Sequence, residues 1–349
     1  MKAITVEPRK PNSIRLEEVP EPDIRNGSML VETIAVGVCG TDLEIAEGKY
    51  GWAPAGKTRL VLGHEGLGRV IDPGPQGQFK KGDLVVGIVR RPDPVPCPNC
   101  AVGEWDMCRN GQYTERGIKE IDGFMSERWR IEPEYAVKPN AALGILSVLI
   151  EPTTIVTKAW HHIIAIGNRT FWEAKNVLIT GAGPVGLLAA LIGVQRGMDV
   201  HVLARSPIGL KPQLVRDLGA TYHTCAVADI GFEPDVIIEC TGVGQVIFDA
   251  IQVAAPGGIL CLTGVGSGGS AGKAATADVA AAAVLKNLVI LGSVNAGKRH
   301  YYRAGDILSR ADPAWLSRLI TRREKPENFA QAFERRPDDV RNIIQFSEI

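Results

Sequence analysis

The sequence lacks an excess of charge of either sign: its 349 residues carry 39 Lys plus Arg against 39 Asp plus Glu. No overall field steers such a chain toward a polyanion or an acidic membrane surface, so neither nucleic acid nor membrane is expected as a partner, and a small polar molecule is. Long apolar runs are also lacking. The stretch 284–294 is interrupted by Lys286 and Asn287 and falls short of the roughly 20 apolar residues that cross a bilayer. The opening MKAITVEPR reads as a strand, without the apolar core or cleavage site of an export signal, so the expected location is the cytoplasm.

A disulfide pattern is missing as well. The seven cysteines are odd in number and unevenly spaced, with Cys97, Cys100 and Cys108 close together and Cys39 alone upstream. In a reducing compartment such clustering points to metal. Cys225, Cys240 and Cys261 lie in apolar, strand-like surroundings and are expected in the core, where a free cysteine behaves as a small hydrophobe.

What the chain does have is length for two domains and a change of pattern between them. The first part is rich in Pro, Gly and short alternating runs such as Met29–Val38 and Asp83–Val89, the pattern of a barrel-like or sandwich-like β domain. From Asn176 strand and helix alternate. NVLITG at 176–181, VHVLAR at 200–205, DVIIECTG at 235–242, GGILCLTGV at 257–265 and LVILGSV at 288–294 are nearly continuous apolar runs, as strands buried on both faces of a parallel sheet require. Crossover helices are expected at 187–196 and 245–253, and a bridging helix at 151–166. A helical stretch at 313–320 and a strand at 343–346 are expected to return to the first domain. The chain therefore divides into 1–165, completed by 296–349, and 166–295. The Gly-, Ser- and Ala-rich stretch 266–275 reads as a mobile surface loop.

Three motifs carry chemistry. Gly181-Ala-Gly183-Pro184-Val185-Gly186 follows an apolar strand and opens a helix, the context in which such a loop binds a dinucleotide pyrophosphate on the helix N-terminus. An NAD site would place a carboxylate at the end of the next strand, but Leu203-Ala204-Arg205-Ser206 stands there. Arg205 can meet a 2′-phosphate with planar, always-charged donors, which points to NADP with NAD secondary. The second motif, Cys39-Gly-Thr41-Asp42 with Gly63-His64-Glu65, offers a thiolate, an imidazole and carboxylates, the ligand types of a catalytic zinc with one position left open. Spacing alone does not separate it from ordinary structural residues. The third is the lobe of Cys97, Cys100 and Cys108, three thiolates of a closed structural zinc site for which Asp93 is the best local fourth donor.

VCGTD at 38–42, GHEGLGRV at 63–70, KGDLVV at 81–86, the cysteine lobe, Glu151-Pro152 and the GAGPVG loop occur in the order found in zinc-dependent medium-chain alcohol dehydrogenases, and the chain resembles that family along nearly its whole length. ERGIKEIDGFMSERW at 115–129, Ile150-Glu151-Pro152 and Ser293-Val294-Asn295 followed by His300 resemble its glucose dehydrogenase branch. The resemblance implies an α/β chain with a GroES-like β-rich catalytic domain and a Rossmann domain. It implies a catalytic zinc near Cys39, His64, Glu65 and Glu151, and a sugar faced by Thr41, Glu115, Glu151, Asn295 and His300. Thr263-Gly264-Val265 and Ser293-Val294-Asn295 then line the cofactor along with Ser206. The implied reaction is oxidation of an aldose at C1 to the lactone, with Thr41 relaying the proton and Glu65 or Glu151 exchanging at the metal or acting through water. A homodimer or homotetramer is the family's common assembly. The sequence departs from the family in the lobe, where the first of four cysteines is missing, and at Val89 and Ile155, where some members carry polar groups. Two alternatives remain open: a dehydrogenase of another sugar, polyol or alcohol, and an inactive NADPH-binding sensor, against which the complete ligand set argues.

Overall fold

The computed structural model describes residues 1–266 and 276–349, so the expected mobile loop lies, apart from Gly266, outside the described residues. The chain forms two compact units, Met1–Glu151 with Asn295–Ile349, and Pro152–Val294.

In the first unit the strand Met29–Val38 is the organising element. Ten residues of branched and small side chains bury every position from Thr33 to Val38, as a strand covered on both faces must. It pairs antiparallel with Glu65–Asp72 on one side. On the other, its first half pairs with Arg128–Ile131 and its second half with Arg341–Gln345. The end of the chain thus lies beside residues 35–38. Val31, Val36, Leu62, Phe124 and Trp129 fill the core beneath.

The second unit holds a six-stranded parallel sheet in the order Thr221–His223, Asp199–Leu203, Asn176–Thr180, Val236–Glu239, Ile259–Leu262, Val289–Gly292. This is the doubly wound dinucleotide-binding order, with its switch point beside Asn176–Thr180. Five of the six strands fall on the apolar runs read from the sequence. The sixth, Thr221–His223, is a three-residue edge strand without an apolar run.

Two expectations need correction. The helix Ile150–Gly167, placed with the first domain up to residue 165, belongs from Pro152 onward with the second unit. The indole N–H of Trp160 donates to the Ala189 carbonyl at 3.2 Å, packing this helix on Pro184–Gln195. Apolar periodicity shows that a helix has a buried face, not which sheet it covers. Cys225, expected in the core, is exposed just beyond the edge strand, whereas Cys261 is buried and Cys240 partly so. Among the described residues one helical stretch, Ala141–Gly167, is apolar and long enough to cross a membrane by length and composition, and 72% of its window is buried in the fold, as in the interior helix of a packed domain.

Candidate active site

Cys39 follows directly on the central strand and caps the helix Gly40–Ala46, its Sγ accepting from the Thr41 amide at 3.2 Å. Three residues on, Asp42 turns back: its Oδ2 accepts from the Cys39 amide at 2.9 Å and its Oδ1 stands 3.4 Å from His64 Nδ1. The Cys-Gly-Thr-Asp spacing is one helical turn, which puts thiol and carboxylate at the same helix end. His64 and Glu65 arrive on the neighbouring strand, where Gly37 is the register partner of Glu65. A Cβ at Gly37 would fall on Glu65 Oε2, so glycine here makes room for the carboxylate.

The result is a compact donor set. Cys39 Sγ is 3.0 Å from His64 Nε2, and His64 Nε2 is 4.0 Å from Glu65 Oε1. One ligand atom from each of the three lies within 4.8 Å of the others. Glu65 Oε1 also accepts from Arg341 Nη1 at 2.9 Å, and the same nitrogen donates to the Val38 carbonyl at 3.0 Å. These residues fit a divalent metal. The buried Glu65 Oε2 has no hydrogen-bond partner, thiolate, imidazole and carboxylate are zinc ligands, and Asp42 at Nδ1 leaves Nε2 for the ion.

The electrostatics agree. Burial pushes the Cys39 thiol up. Burial would lower His64, but the adjacent Cys39 and Asp42 hold it well above its ordinary range. Burial raises Glu65 against the pull of Arg341, and burial together with the nearby Glu65 charge pushes Glu151 up to about 8. Acidic groups gathered away from water resist ionising together, and a cation among them removes that resistance. Glu151, implied as a ligand, is buried and feels Glu65 and His64, but it is not one of the donors gathered within 4.8 Å.

Of the residues expected at the sugar, Glu115 and Asn295 come together. Glu115 Oε1 accepts from Asn295 Nδ2 at 2.8 Å and from Arg90 Nε at 3.1 Å. Thr41 is half-buried in the first turn beside Cys39. His300 is fully buried, and its Nδ1 accepts from the Gly297 amide at 3.1 Å, capping its own helix Lys298–Ser309.

In the lobe, Cys97, Cys100 and Cys108 place their sulfurs within 4.8 Å of one another. Amide donors, Arg109 first, pull the Cys97 thiol down to about 6, while burial pushes Cys100 up to about 11. Asp93 is not part of that group. Its Oδ1 accepts from the Val95 amide at 2.8 Å, and its buried Oδ2 has no hydrogen-bond partner.

In the second unit, Gly181 takes φ +97° and donates its amide to the Leu203 carbonyl. Gly183 caps the helix that begins at Pro184, followed by Val185. A Cβ at Gly186 would land on the Gly181 carbonyl oxygen, so the third glycine serves the closure of the loop itself. Arg205 and Ser206 are exposed beyond the strand Asp199–Leu203. Thr263, Gly264 and Val265 follow the strand Ile259–Leu262, and Thr263 Oγ1 donates to the Glu239 carbonyl at 2.8 Å. Ser293 and Val294 follow the strand Val289–Gly292, and the buried Lys158 donates to the Val294 carbonyl at 3.0 Å.

Sequence reasoning missed four residues. Glu239 is fully buried and accepts from Thr180 Oγ1 at 3.2 Å, Thr241 N at 2.6 Å and Gly242 N at 3.0 Å, tying together the ends of two adjacent strands. Its signal was an acid inside an apolar run. Arg90 had the weaker signal of an arginine pair closing a buried strand. Lys158 and Arg341 had none.

A buried zinc-type donor set and a doubly wound sheet with a dinucleotide loop, carried by one chain, define a zinc-dependent dehydrogenase of the medium-chain type. Residues 25–141 match the family described as Alcohol dehydrogenase GroES-like domain, and residues 144–346 the one described as Glucose dehydrogenase C-terminus. The chain is 39% identical over 352 residues to glucose 1-dehydrogenase 2 of Vulcanisaeta moutnovskia, covering 99% of each. It is 38% identical to glucose 1-dehydrogenase 1 of Caldivirga maquilingensis, covering 100% of each. Its fold is similar to that of Haloferax mediterranei glucose dehydrogenase, solved in complex with NADP, Zn and gluconolactone, with TM-score 0.92 at 32% identity over 100% of both chains. The chain belongs to the glucose dehydrogenase branch of the zinc-dependent medium-chain alcohol dehydrogenases, oxidoreductases that act on a CH–OH group.

Proposed function

We propose that the protein oxidises D-glucose, and other aldoses more slowly, at C1 to the lactone, with NADP preferred over NAD as hydride acceptor. The observation that carries this reading is the buried convergence of Cys39, His64 and Glu65, in a chain whose relatives bear the name glucose 1-dehydrogenase. Cys39, His64 and Glu65 would hold the metal, with Glu151 available beside them. A zinc ion there supplies a Lewis acid that lowers the pKa of the C1 hydroxyl, and the nicotinamide supplies the hydride acceptor. The chain's own residues do the rest. Asp42 orients the His64 ring, and Arg341 holds Glu65 Oε1. The Thr41 hydroxyl, in the turn beside Cys39, takes up the hydroxyl proton and passes it outward. Glu115 and Asn295 present paired acceptor and donor groups to ring hydroxyls, which rejects simple alcohols that would leave those groups unpaired. Arg205, with no carboxylate beside it, favours the 2′-phosphate of NADP.

The test is a steady-state survey of aldoses, polyols and simple alcohols with NADP and with NAD, with and without a chelator. Glucose turnover that prefers NADP and disappears on chelation supports the reading. Turnover of a polyol or alcohol alone, or activity indifferent to metal removal, rejects it. The reading also includes a cytoplasmic setting, supported by seven free thiols. It includes a homodimer or homotetramer, supported by the strand Val289–Gly292, which pairs on one side only among the described residues and leaves Ile290 exposed. Sedimentation showing a monomer at working concentration would remove the latter.

A further inference from the structure

The turn Tyr50–Trp52 is an aromatic feature that neither the metal set nor the dinucleotide loop uses. Tyr50 and Trp52 meet edge to face, with ring centroids 5.0 Å apart and planes at 76°. The Arg9 guanidinium lies 5.1 Å from the Trp52 ring centroid. Gly51 between them, at φ +96°, sits against Ile45 of the helix that begins at Cys39 and Thr41.

The same turn is fastened to the strand that carries Glu115. The Trp52 amide donates to the Ile118 carbonyl at 3.0 Å, and the Glu120 amide donates to the Trp52 carbonyl at 3.0 Å. Lys119, between them, exchanges both backbone hydrogen bonds with Glu115 at 2.8 Å. Two short steps of main chain therefore tie this turn to the segment that carries Glu115, whose side chain in turn holds Asn295. Burial, and after it the Glu115 charge, push the Tyr50 hydroxyl above its ordinary value. Tyr50 stays 39% exposed.

Trp52 is half-buried with Arg9 over its ring, which leaves Tyr50 as the exposed member of the pair, and an exposed aromatic ring costs free energy in water unless something covers it. Glu115 and Asn295 offer one acceptor and one donor for hydroxyl groups but no apolar surface. A pyranose needs both, because its hydroxyls project from the rim while its axial C–H bonds form apolar faces. We propose that the Tyr50 ring, braced edge to face by Trp52, is a platform that receives the C–H face of the sugar ring while its hydroxyls meet Glu115 and Asn295. This rests on the aldose reading above and adds how the ring, rather than a hydroxyl, is recognised.

The test is Tyr50→Leu compared with Tyr50→Phe, each assayed with glucose and with xylose, a pyranose lacking the C6 group. Loss of the ring raises KM for both sugars roughly fivefold to tenfold, the worth of one aromatic contact, with kcat changed less than KM. Tyr50→Phe recovers most of that loss, since the platform uses the ring and not the hydroxyl. Glucose added to the cofactor-free protein changes tryptophan emission, and Trp52→Phe diminishes that change. Parental KM values in Tyr50→Leu overturn the platform while leaving the aldose reading intact, as does a Tyr50→Phe variant as impaired as Tyr50→Leu. A parent protein that oxidises no aldose overturns both.

Discussion

His64 has a neighbour at each ring nitrogen, the Asp42 carboxylate 3.4 Å from Nδ1 and the Cys39 sulfur 3.0 Å from Nε2. Each neighbour predicts a different loss. Cys39→Ala and His64→Ala are expected to abolish turnover while NADPH, followed by its fluorescence, still binds, because the Gly181–Gly186 loop is built in the second unit. Near-parental turnover in either variant would refute the metal assignment. Asp42→Asn keeps the shape but weakens the hold on the ring. The expected cost is about 10- to 100-fold in metal affinity or activity, read by competition with a chromogenic chelator. Arg205→Ala should weaken NADP by roughly tenfold and leave NAD almost unchanged, since only NADP brings the phosphate. An unchanged ratio of kcat/KM for the two cofactors would make Arg205 an ordinary solvated side chain. The residues that touch this chemistry were legible where they stand in local motifs, as Cys39, His64 and Gly181 do. Arg341 was not, because its partner Glu65 is 276 residues away and a lone arginine near the chain end has no pattern around it.

At the scale of elements, buried parallel strands announce themselves by unbroken apolar runs, while an edge strand of Thr, Tyr and His does not. The same edge carries a histidine pair: His201 Nδ1 lies 2.8 Å from His223 Nε2, so one ring donates and the other accepts. Burial and the neighbouring His201 push His223 below its ordinary value. A histidine depressed in the folded state binds protons less readily than in the unfolded chain. Its contribution to stability is therefore present above the unfolded value of about 6.5 and is lost as pH falls through the lower folded value. Between pH 7.5 and 5, Tm should fall more steeply in the parent than in His223→Gln; parallel curves would show that the pair does not govern this window. The cysteine lobe makes a separate claim. Three sulfurs drawn together on a Pro-rich loop are expected to hold a second zinc, so metal analysis should find more than one ion per chain. Cys100→Ser should lower Tm more than turnover, because a structural site contributes folding free energy. A single zinc with all three lobe thiols open to titration would contradict this.

Over the whole molecule, the two-part division could be read from the change of pattern near Asn176, but the boundary in the helix Ile150–Gly167 could not. Composition reports that a domain has ended only where the new pattern begins, and a helix shared by neither pattern leaves the junction ambiguous. The first unit is interrupted, taking up the chain again at Asn295 after the second is complete. Deleting Arg341–Gln345 should therefore remove more than a surface strand. It takes away the pairing partner of residues 35–38 and the guanidinium on Glu65, and it is expected to abolish activity and lower Tm even if NADPH binding persists.

The placing of that last strand also sets an order of events during synthesis. A nascent chain emerges from its N-terminus, so residues 29–38 leave the ribosome with one edge unpaired between residues 35 and 38. They wait for some 300 residues of translation before Arg341–Gln345 arrives. The continuous unit Pro152–Val294 faces no such wait, and closing the long loop across an already folded unit costs less than closing it across a free coil. Pulse-labelled hydrogen exchange on refolding should find amides of Asn176–Thr180 protected before those of Val36–Val38. Simultaneous protection would show that the two units fold as one.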